Sequence, residues 1–345
     1  MQGDNSDCLI CVDTGTTNTR VWLLRGAEVL ATVRVGVGVR DTAREGTAAK
    51  LYEALREAIA SVSSHRIEDG GEWPQPVPKA IIAAGMITSP LGLREIPHLV
   101  APAGLTAISE AVVQCHFPEI TGLPFFLVPG VRSGADRTVP AEVGATDVMR
   151  GEETLCLGLA ASGLLGPGST LLNLGSHWKL IRLDAETRIE SSVTSLSGEL
   201  IHATQTQTIL AGSVPGSRPE VIDPDWMRFG MAEQRRSGTA RALFCVRLLE
   251  QRSTSTPEER LAYLIGVYIA ADLDAMLGRG LMVPGETIVI AGGEALAAAW
   301  ATALAEHSIG ARLLTDGEIE QGLLAGLRAI AASAIRFDDL KQEME

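Results

Sequence analysis

The sequence predicts an α/β protein of two domains facing a cleft. Two features point there. A strand, a short polar turn rich in glycine and hydroxyl side chains, and a second strand occur at residues 8–25 and again at 170–183. Stretches with helical spacing lie between and after these units, the pattern of layered α/β domains. The length of 345 residues agrees, at roughly 100–200 residues per domain. The expected boundary divides residues 1–145 from 146–345.

Taken in order, the first strand spans residues 8–12 and ends in Asp13-Thr14-Gly15-Thr16-Thr17-Asn18. Residues 19–25 and 28–35 read as two further strands, so the chain opens with a meander. Leu51, Leu55 and Ile59 recur at four-residue intervals and place a helix over 47–61. A Gly/Pro-rich loop at 69–78 leads to a buried strand at 79–84. Residues 85–104 are punctuated by Gly and Pro and read as loop. Residues 125–128 form a short strand, 132–143 an exposed loop and 147–161 a helix. After Gly166-Pro167-Gly168 the pattern restarts with a strand at 170–174, a turn at Gly175-Ser176-His177 and a strand at 178–183. Helices follow at 197–210, 233–252 and 257–277. A buried strand at 287–290 enters Ala291-Gly292-Gly293 and a helix from Glu294. The last helix covers 318–333. The two strand–turn–strand units share little sequence, so they are an architectural echo and not a sequence repeat.

Charge excludes some partners. The net charge of −13 repels nucleic acid and anionic membranes, and neither is expected to bind. Residues 1–7 are polar and acidic, without the basic start and apolar run of a secretory signal. The apolar run at 261–271 falls short of the about 20 residues that cross a bilayer. The expected location is the cytoplasm, and self-association is left open. The five cysteines are Cys8, Cys11, Cys115, Cys156 and Cys245. Cys8 and Cys11 have CxxC spacing but lie in a strand, so buried thiols are expected in place of a metal or redox pair.

The strongest chemical signal is the octamer Asp13-Thr14-Gly15-Thr16-Thr17-Asn18-Thr19-Arg20. Gly15 lets backbone approach an anion, and consecutive N–H groups of such a turn form an anion nest. Thr16, Thr17 and Asn18 add side-chain donors. Asp13, at a strand end, suits Mg²⁺, which takes oxygen ligands and keeps its own waters. Arg20 offsets charge on a transferring phosphoryl group or grips an acidic substrate. An ordinary hairpin would also use these turn residues. The second turn, Gly175-Ser176-His177-Trp178-Lys179, is less specific alone. Two such turns, a domain apart, can clamp one phosphate chain. Gly292 and Gly293, between a buried strand and a helix, let a flat ring such as adenine press on backbone.

Two phosphate hairpins and a late Gly-Gly, in that order, resemble the actin/hexokinase/heat-shock-protein superfamily. The resemblance implies two actin-like (ribonuclease H-like) domains around a nucleotide cleft, with ATP and Mg²⁺ as cofactors. The opening is similar to the FGGY sugar kinases, which begin Asp-x-Gly-Thr-x-x-x-Arg. It resembles the 2-dehydro-3-deoxygalactonokinases more closely. So do Ala84-Gly85-Met86-Ile87 with Gly92 and Pro97, Val148-Met149-Arg150-Gly151-Glu152-Glu153-Thr154, and Gly175–Lys179 with Ser197-Gly198-Glu199-Leu200. Thr14 stands where that family often has Trp, and Ser176 where it often has Thr. The loop at 132–146 is longer than the family leads one to expect.

The resemblance implies an ATP-dependent kinase of a small sugar acid, 2-dehydro-3-deoxy-D-galactonate. The base of FGGY kinases is an Asp in Gly-Asp-Gln, shortly before the second hairpin. Gly151-Glu152-Glu153 matches that place and implies Glu152, with Asp147 and Asp136 in reserve. Both glutamates would also suit a first helical turn on dipole grounds alone. Gly85 and Met86 are expected at the sugar-facing strand end. Arg94 and Arg150, in the segments expected to line the sugar cleft, are the candidate cations for the substrate carboxylate. A kinase of another sugar, a phosphatase or an actin-like nucleotide-binding protein would use the same phosphate turns.

Overall fold

In the computed structural model, residues 8–65, 76–135 and 138–335 are described. The chain opens with β1 (Cys8–Thr14), β2 (Thr19–Arg25) and β3 (Glu28–Val35), followed by α1 (Val39–Glu45) and α2 (Ala49–Ser63). Then come β4 (Pro78–Gly85), β5 (Leu99–Val100), α3 (Leu105–Glu110), β6 (Val113–Cys115), β7 (Phe125–Leu127), β8 (Val131–Ser133), β9 (Asp147–Met149) and α4 (Glu152–Ala161). The later part holds β10 (Thr170–Leu174), β11 (Trp178–Leu183), β12 (Ile189–Ser195), α5 (Ser197–Gln207), α6 (Pro224–Ser237), α7 (Thr239–Arg252) and α8 (Pro257–Gly278). It closes with β13 (Thr287–Gly292), α9 (Glu294–Ala305), β14 (Gly310–Leu313) and α10 (Asp316–Ala334).

The first sheet has the order β3-β2-β1-β4-β7-β6, the second β12-β11-β10-β13-β14. In each, the third, second, first, fourth and fifth main strands lie side by side. β1 is antiparallel to β2 and parallel to β4, and β4 is parallel to β7. β10 is antiparallel to β11 and parallel to β13, and β13 is parallel to β14. The architectural echo is therefore a duplicated ribonuclease H-like sheet. β1 is nearly all apolar and buried, as a central strand covered on both faces must be. β3, at the edge, alternates in exposure.

The chain forms two compact units. One holds the residues up to Pro167, Leu183–Ser192 and the chain from Glu320 on; the other holds Gly168–Arg182 and Val193–Ile319. The expected boundary at 145/146 lies inside the first unit, which includes α4 and most of α10. There Gly158 of α4 meets α10 so closely that an added Cβ would lie 1.7 Å from the carbonyl oxygen of Gly322.

In the first unit the repeat Leu51, Leu55, Ile59 forms the buried face of α2, packed with Ile10, Val12, Ile81 and Phe125. In the second, Trp178 stands edge-on to Trp300 at 5.4 Å, within a core that includes α6, α8 and α9. α8 starts with Thr256 and Glu259 in a reciprocal capping box and Pro257 in its first turn. By length and composition α8 is apolar enough to span a membrane, longer than the run at 261–271 suggests. Most of it is buried within the second unit.

Several expectations are corrected. The helix expected over 147–161 starts only at Glu152, because Asp147–Met149 pairs with β8 as a strand and Gly151 turns the chain at φ +104°. The expected loop at 132–143 thus contains the end of β8. The helix expected over 233–252 is two helices, broken at Gly238, where φ is +79°. α1, α3, β6, β12 and β14 were not expected at all. The 69–78 loop lies largely outside the described residues. Cys8, Cys11, Cys115 and Cys156 are buried, Cys245 is partly buried, and none of the five is in a disulfide. Burial pushes the Cys11 thiol far above its ordinary range, so the CxxC spacing marks inert thiols.

Candidate active site

Three segments far apart in sequence meet at the carboxyl ends of β1 and β4. β1 places Asp13 opposite Arg20 on β2. Arg20 donates to Asp13 Oδ2 from Nη2 at 2.6 Å and from Nε at 3.2 Å. The pair is partly exposed, so its stabilising contribution is about 1 kcal/mol or less. Its effect is to fix the carboxylate, leaving Oδ1 for other use. Gly85, the last residue of β4, lies beside Thr14 at φ +86°. A Cβ there would come 2.5 Å from the Thr14 carbonyl oxygen and 3.0 Å from Asp13 Oδ1. Gly151, from the turn before α4, approaches the same place: a Cβ on it would lie 3.3 Å from Gly85 Cα and 3.8 Å from Asp13 Oδ1. Asp13 Oδ1 therefore lies against a floor of two glycines: the Thr14 carbonyl leaves no room for a Cβ on Gly85, and a φ of +104° favours glycine at 151.

The Gly151 turn is anchored from below. Glu153 is fully buried, and both its carboxylate oxygens accept the Gly151 N–H at 2.8 Å. Arg150, half-buried, donates to Thr88 Oγ1 at 2.9 Å and to the Ile96 carbonyl at 2.8 Å, and contacts His98 Nδ1 at 3.4 Å. Burial lowers the Arg150 pKa, against the opposing pull of Glu153 and Glu95. Arg150 thus ties the α4 turn to the 3₁₀ turn Met86–Thr88 after Gly85. Met86 begins that turn and packs its side chain on the core. Arg94 is exposed and donates to Cys115 Sγ at 3.2 Å, outside this network. Glu152 starts α4. Asp147 accepts a 2.5 Å bond from Ser192 Oγ, and Asp136 lies outside the described residues.

The turn after β1 is closed by a 2.8 Å bond from Gly15 N–H to the Asn18 carbonyl. Among the described residues, the amides of Thr16, Thr17 and Asn18 have no internal acceptor. Asn18 Nδ2 donates to Thr17 Oγ1 at 2.9 Å. The second turn, between β10 and β11, is alike: among the described residues the amides of Gly175, Ser176 and His177 have no internal acceptor. Runs of such amides make an anion nest. His177 Nε2 lies 3.2 Å from Glu199 Oε2 in the first turn of α5, so Gly175–Lys179 and Ser197–Leu200 are neighbours. Lys179 is buried in β11 opposite Asn173. Gly292 ends β13 opposite Leu174, and Gly293, exposed, is the N-cap of α9. Thr14–Gly85 and Leu174–Gly292 are the same pairing in the two sheets.

Sequence reasoning passed over Glu153 as an anchor, and over Thr88 and His98. It also passed over Asp272 on α8. Asp272 accepts hydrogen bonds from Ser195 and Ser197, just before and at the start of α5. The available signal was a carboxylate directly after the apolar run at 261–271, inside the helix expected at 257–277.

A duplicated ribonuclease H-like sheet, with a glycine-rich hydroxyl-lined turn after the first strand of each copy, defines an actin-like fold. A family model described as 2-keto-3-deoxy-galactonokinase matches residues 13–330. The protein named "Probable 2-dehydro-3-deoxygalactonokinase DgoK1" of Rhizobium meliloti (strain 1021) is 30% identical over 92% of this chain and 96% of its own length. The 2-dehydro-3-deoxygalactonokinase of Escherichia coli (strain K12) is 26% identical over 93% and 97%. A crystal structure of a protein assigned as a 2-dehydro-3-deoxygalactonokinase from Sinorhizobium meliloti shares the fold, with a TM-score of 0.74 at 24% identity, over 94% of this chain and 96% of that one. The chain belongs to the 2-keto-3-deoxy-galactonokinase family.

Asp272 supplies a test of the second turn's support. Burial holds its carboxyl above the ordinary value of 3.8, against the pull of the Ser195 and Ser197 hydroxyls. The folded state therefore binds this proton more tightly than the unfolded state, and stability falls as pH rises from 3.8 through the folded value. Asp272→Asn removes that titration. In urea unfolding across this window, the variant should gain stability relative to wild type as pH rises. A constant difference at every pH would contradict the burial of a charged Asp272.

Proposed function

We propose that this member of a sugar-acid kinase family transfers the γ-phosphoryl group of ATP to the terminal hydroxyl of 2-dehydro-3-deoxy-D-galactonate. The products are the 6-phosphate ester and ADP. The observation that carries the reading is the meeting of Asp13, Gly85 and Gly151 in a chain of this family. Phosphoryl transfer needs positioning and charge neutralisation more than covalent chemistry, and a fixed carboxylate over a bare backbone floor can position a cation that would supply the neutralising charge. The first turn (Gly15, Thr16, Thr17, Asn18) and the second (Gly175, Ser176, His177, with Lys179) each offer donors to phosphate oxygens. Gly292 and Gly293 are the proposed rest for the adenine. The first unit then carries the sugar side and the second the adenosine side.

Mg²⁺ suits Asp13. It needs hard oxygen donors and keeps most of its waters, so one carboxylate and the phosphates suffice. Oδ1 is the oxygen not spent on Arg20, and among the described residues it takes no hydrogen bond. When bound there, the ion would supply positive charge against the phosphate oxygens. Arg20 adds positive charge beside the transferring group. Glu152 accepts the hydroxyl proton as the new O–P bond forms and the bond from γ-phosphorus to the bridging oxygen breaks. Glu153 is spent on Gly151, which leaves Glu152 as the base of the Gly-Glu-Glu run. Gly85 and Met86 line the sugar side, and Arg94 and Arg150 supply cations for the substrate carboxylate. We place the enzyme in the cytoplasm.

ADP release across a panel of sugar acids and their alcohols tests the substrate. The account predicts use of the acid and poor use of the neutral alcohol, because the cations would lose their partner. Equal use of both would favour a neutral-sugar kinase. In the same assay Glu152→Gln should lower kcat about 100- to 10,000-fold, the range for a positioned base, with ATP affinity little changed. A large loss in Asp147→Asn, with Glu152→Gln active, would move the base to Asp147.

A further inference from the structure

Behind each of the two turns stands the start of a helix, and in both the contact is a glycine. Gly38 lies three residues past Val35, the end of β3, and is the N-cap of α1. Gly198 lies three residues past Ser195, the end of β12, in the first turn of α5. A Cβ on Gly38 would lie 2.6 Å from the carbonyl oxygens of both Gly15 and Thr16. A Cβ on Gly198 would lie 2.4 Å from the carbonyl oxygen of Gly175 and 2.7 Å from that of Ser176. All four contacts are to backbone, so no side chain can rotate aside. In the first turn the contact is also bonded. Val39 N–H donates to the Gly15 carbonyl at 3.3 Å, and Arg40 N–H to the Thr16 carbonyl at 2.9 Å.

The consequence follows from peptide geometry. A peptide unit is planar and trans, so its C=O and N–H point in opposite directions. Holding the Gly15 and Thr16 carbonyls against α1 turns the amides of Thr16 and Thr17 the other way. Holding the Gly175 and Ser176 carbonyls against α5 does the same for Ser176 and His177. These are amides that, among the described residues, have no internal acceptor. We propose that Gly38 and Gly198 are paired positioning residues: each lets a helix start press on the carbonyl side of a turn and so aims that turn's amides at phosphate. Neither glycine touches the nucleotide; each acts through the turn in front of it. The inference rests on reading the two turns as phosphate grips. Its recurrence at the same distance past the third strand of each sheet ties it to the duplicated fold.

Isothermal titration with Mg²⁺-ATP and with adenosine separates the possibilities. Gly38→Ala and Gly198→Ala should each weaken ATP about 10- to 100-fold, the loss of one or two charge-assisted bonds. Adenosine affinity should stay unchanged, which a general loss of structure would not allow. Gly36→Ala and Gly212→Ala are controls, since a Cβ at either meets nothing within 4 Å, and should bind both ligands as wild type does. If Gly38→Ala fails to fold, Val39→Pro tests the same contact. It removes the bond to the Gly15 carbonyl, proline suits the first helical position, and Gly38 is already extended. An ATP-to-adenosine ratio unchanged in the Gly38 or Val39 variants and in Gly198→Ala would overturn the proposal. So would an equal loss in Gly36→Ala. A wild type that binds ATP no more tightly than adenosine would instead overturn the reading of the turns themselves.

Discussion

The site depends on one constraint: the Asp13 carboxylate is held by Arg20 of its own hairpin while two glycines crowd its other oxygen. Asp13 and Arg20 are cross-strand partners, so the hairpin that makes the phosphate turn also sets the carboxylate. Gly85 and Gly151 come from other parts of the chain; a Cβ on Gly85 would come 2.5 Å from the Thr14 carbonyl oxygen, and one on Gly151 would press on Gly85 Cα at 3.3 Å. Both have positive φ, so side chain and backbone conformation exclude other residues together. Much of the surrounding structure serves that convergence. Glu153 pins Gly151, Arg150 ties its turn to Thr88 and Ile96, and the 3₁₀ turn follows directly from Gly85.

The duplicated sheet explains why the important groups sit at strand ends. In open α/β sheets the carboxyl ends of parallel strands gather the loops that bind ligands. β1 and β4 end together at Thr14 and Gly85, and β10 and β13 end together at Leu174 and Gly292. In both copies the fourth strand closes on glycine, and in both a helix-start glycine backs the turn. The chain thus uses one device twice, with little shared sequence, because the constraint acts on backbone.

The turns were legible in the sequence because their chemistry is local. Gly15 with Thr16, Thr17 and Asn18 reads as a tight polar turn rich in donors, and the flanking strands are short apolar runs. The buried face of α2 was legible from its period. The break at Gly238 was not, since helical spacing continues on both sides of it. β12 and β14 are edge strands with mixed polarity, and nothing local marks them. Arg150 shows a different limit. Its segment was expected to line the sugar cleft, but a sequence shows no hydrogen bonds, and those to Thr88 and Ile96 are part of what Arg150 does. Glu153 next to Glu152 is the same case: two adjacent carboxylates look alike until one is seen buried on Gly151.

The most direct measurement is phosphoryl transfer by Asp13→Asn. The Arg20 pair is partly exposed and contributes about 1 kcal/mol at most, so the variant should fold and melt near wild type. Losing the fixed negative charge should still lower kcat about 100-fold or more, the scale of removing one preorganised electrostatic group. Near-normal turnover in a folded Asp13→Asn variant would contradict the account.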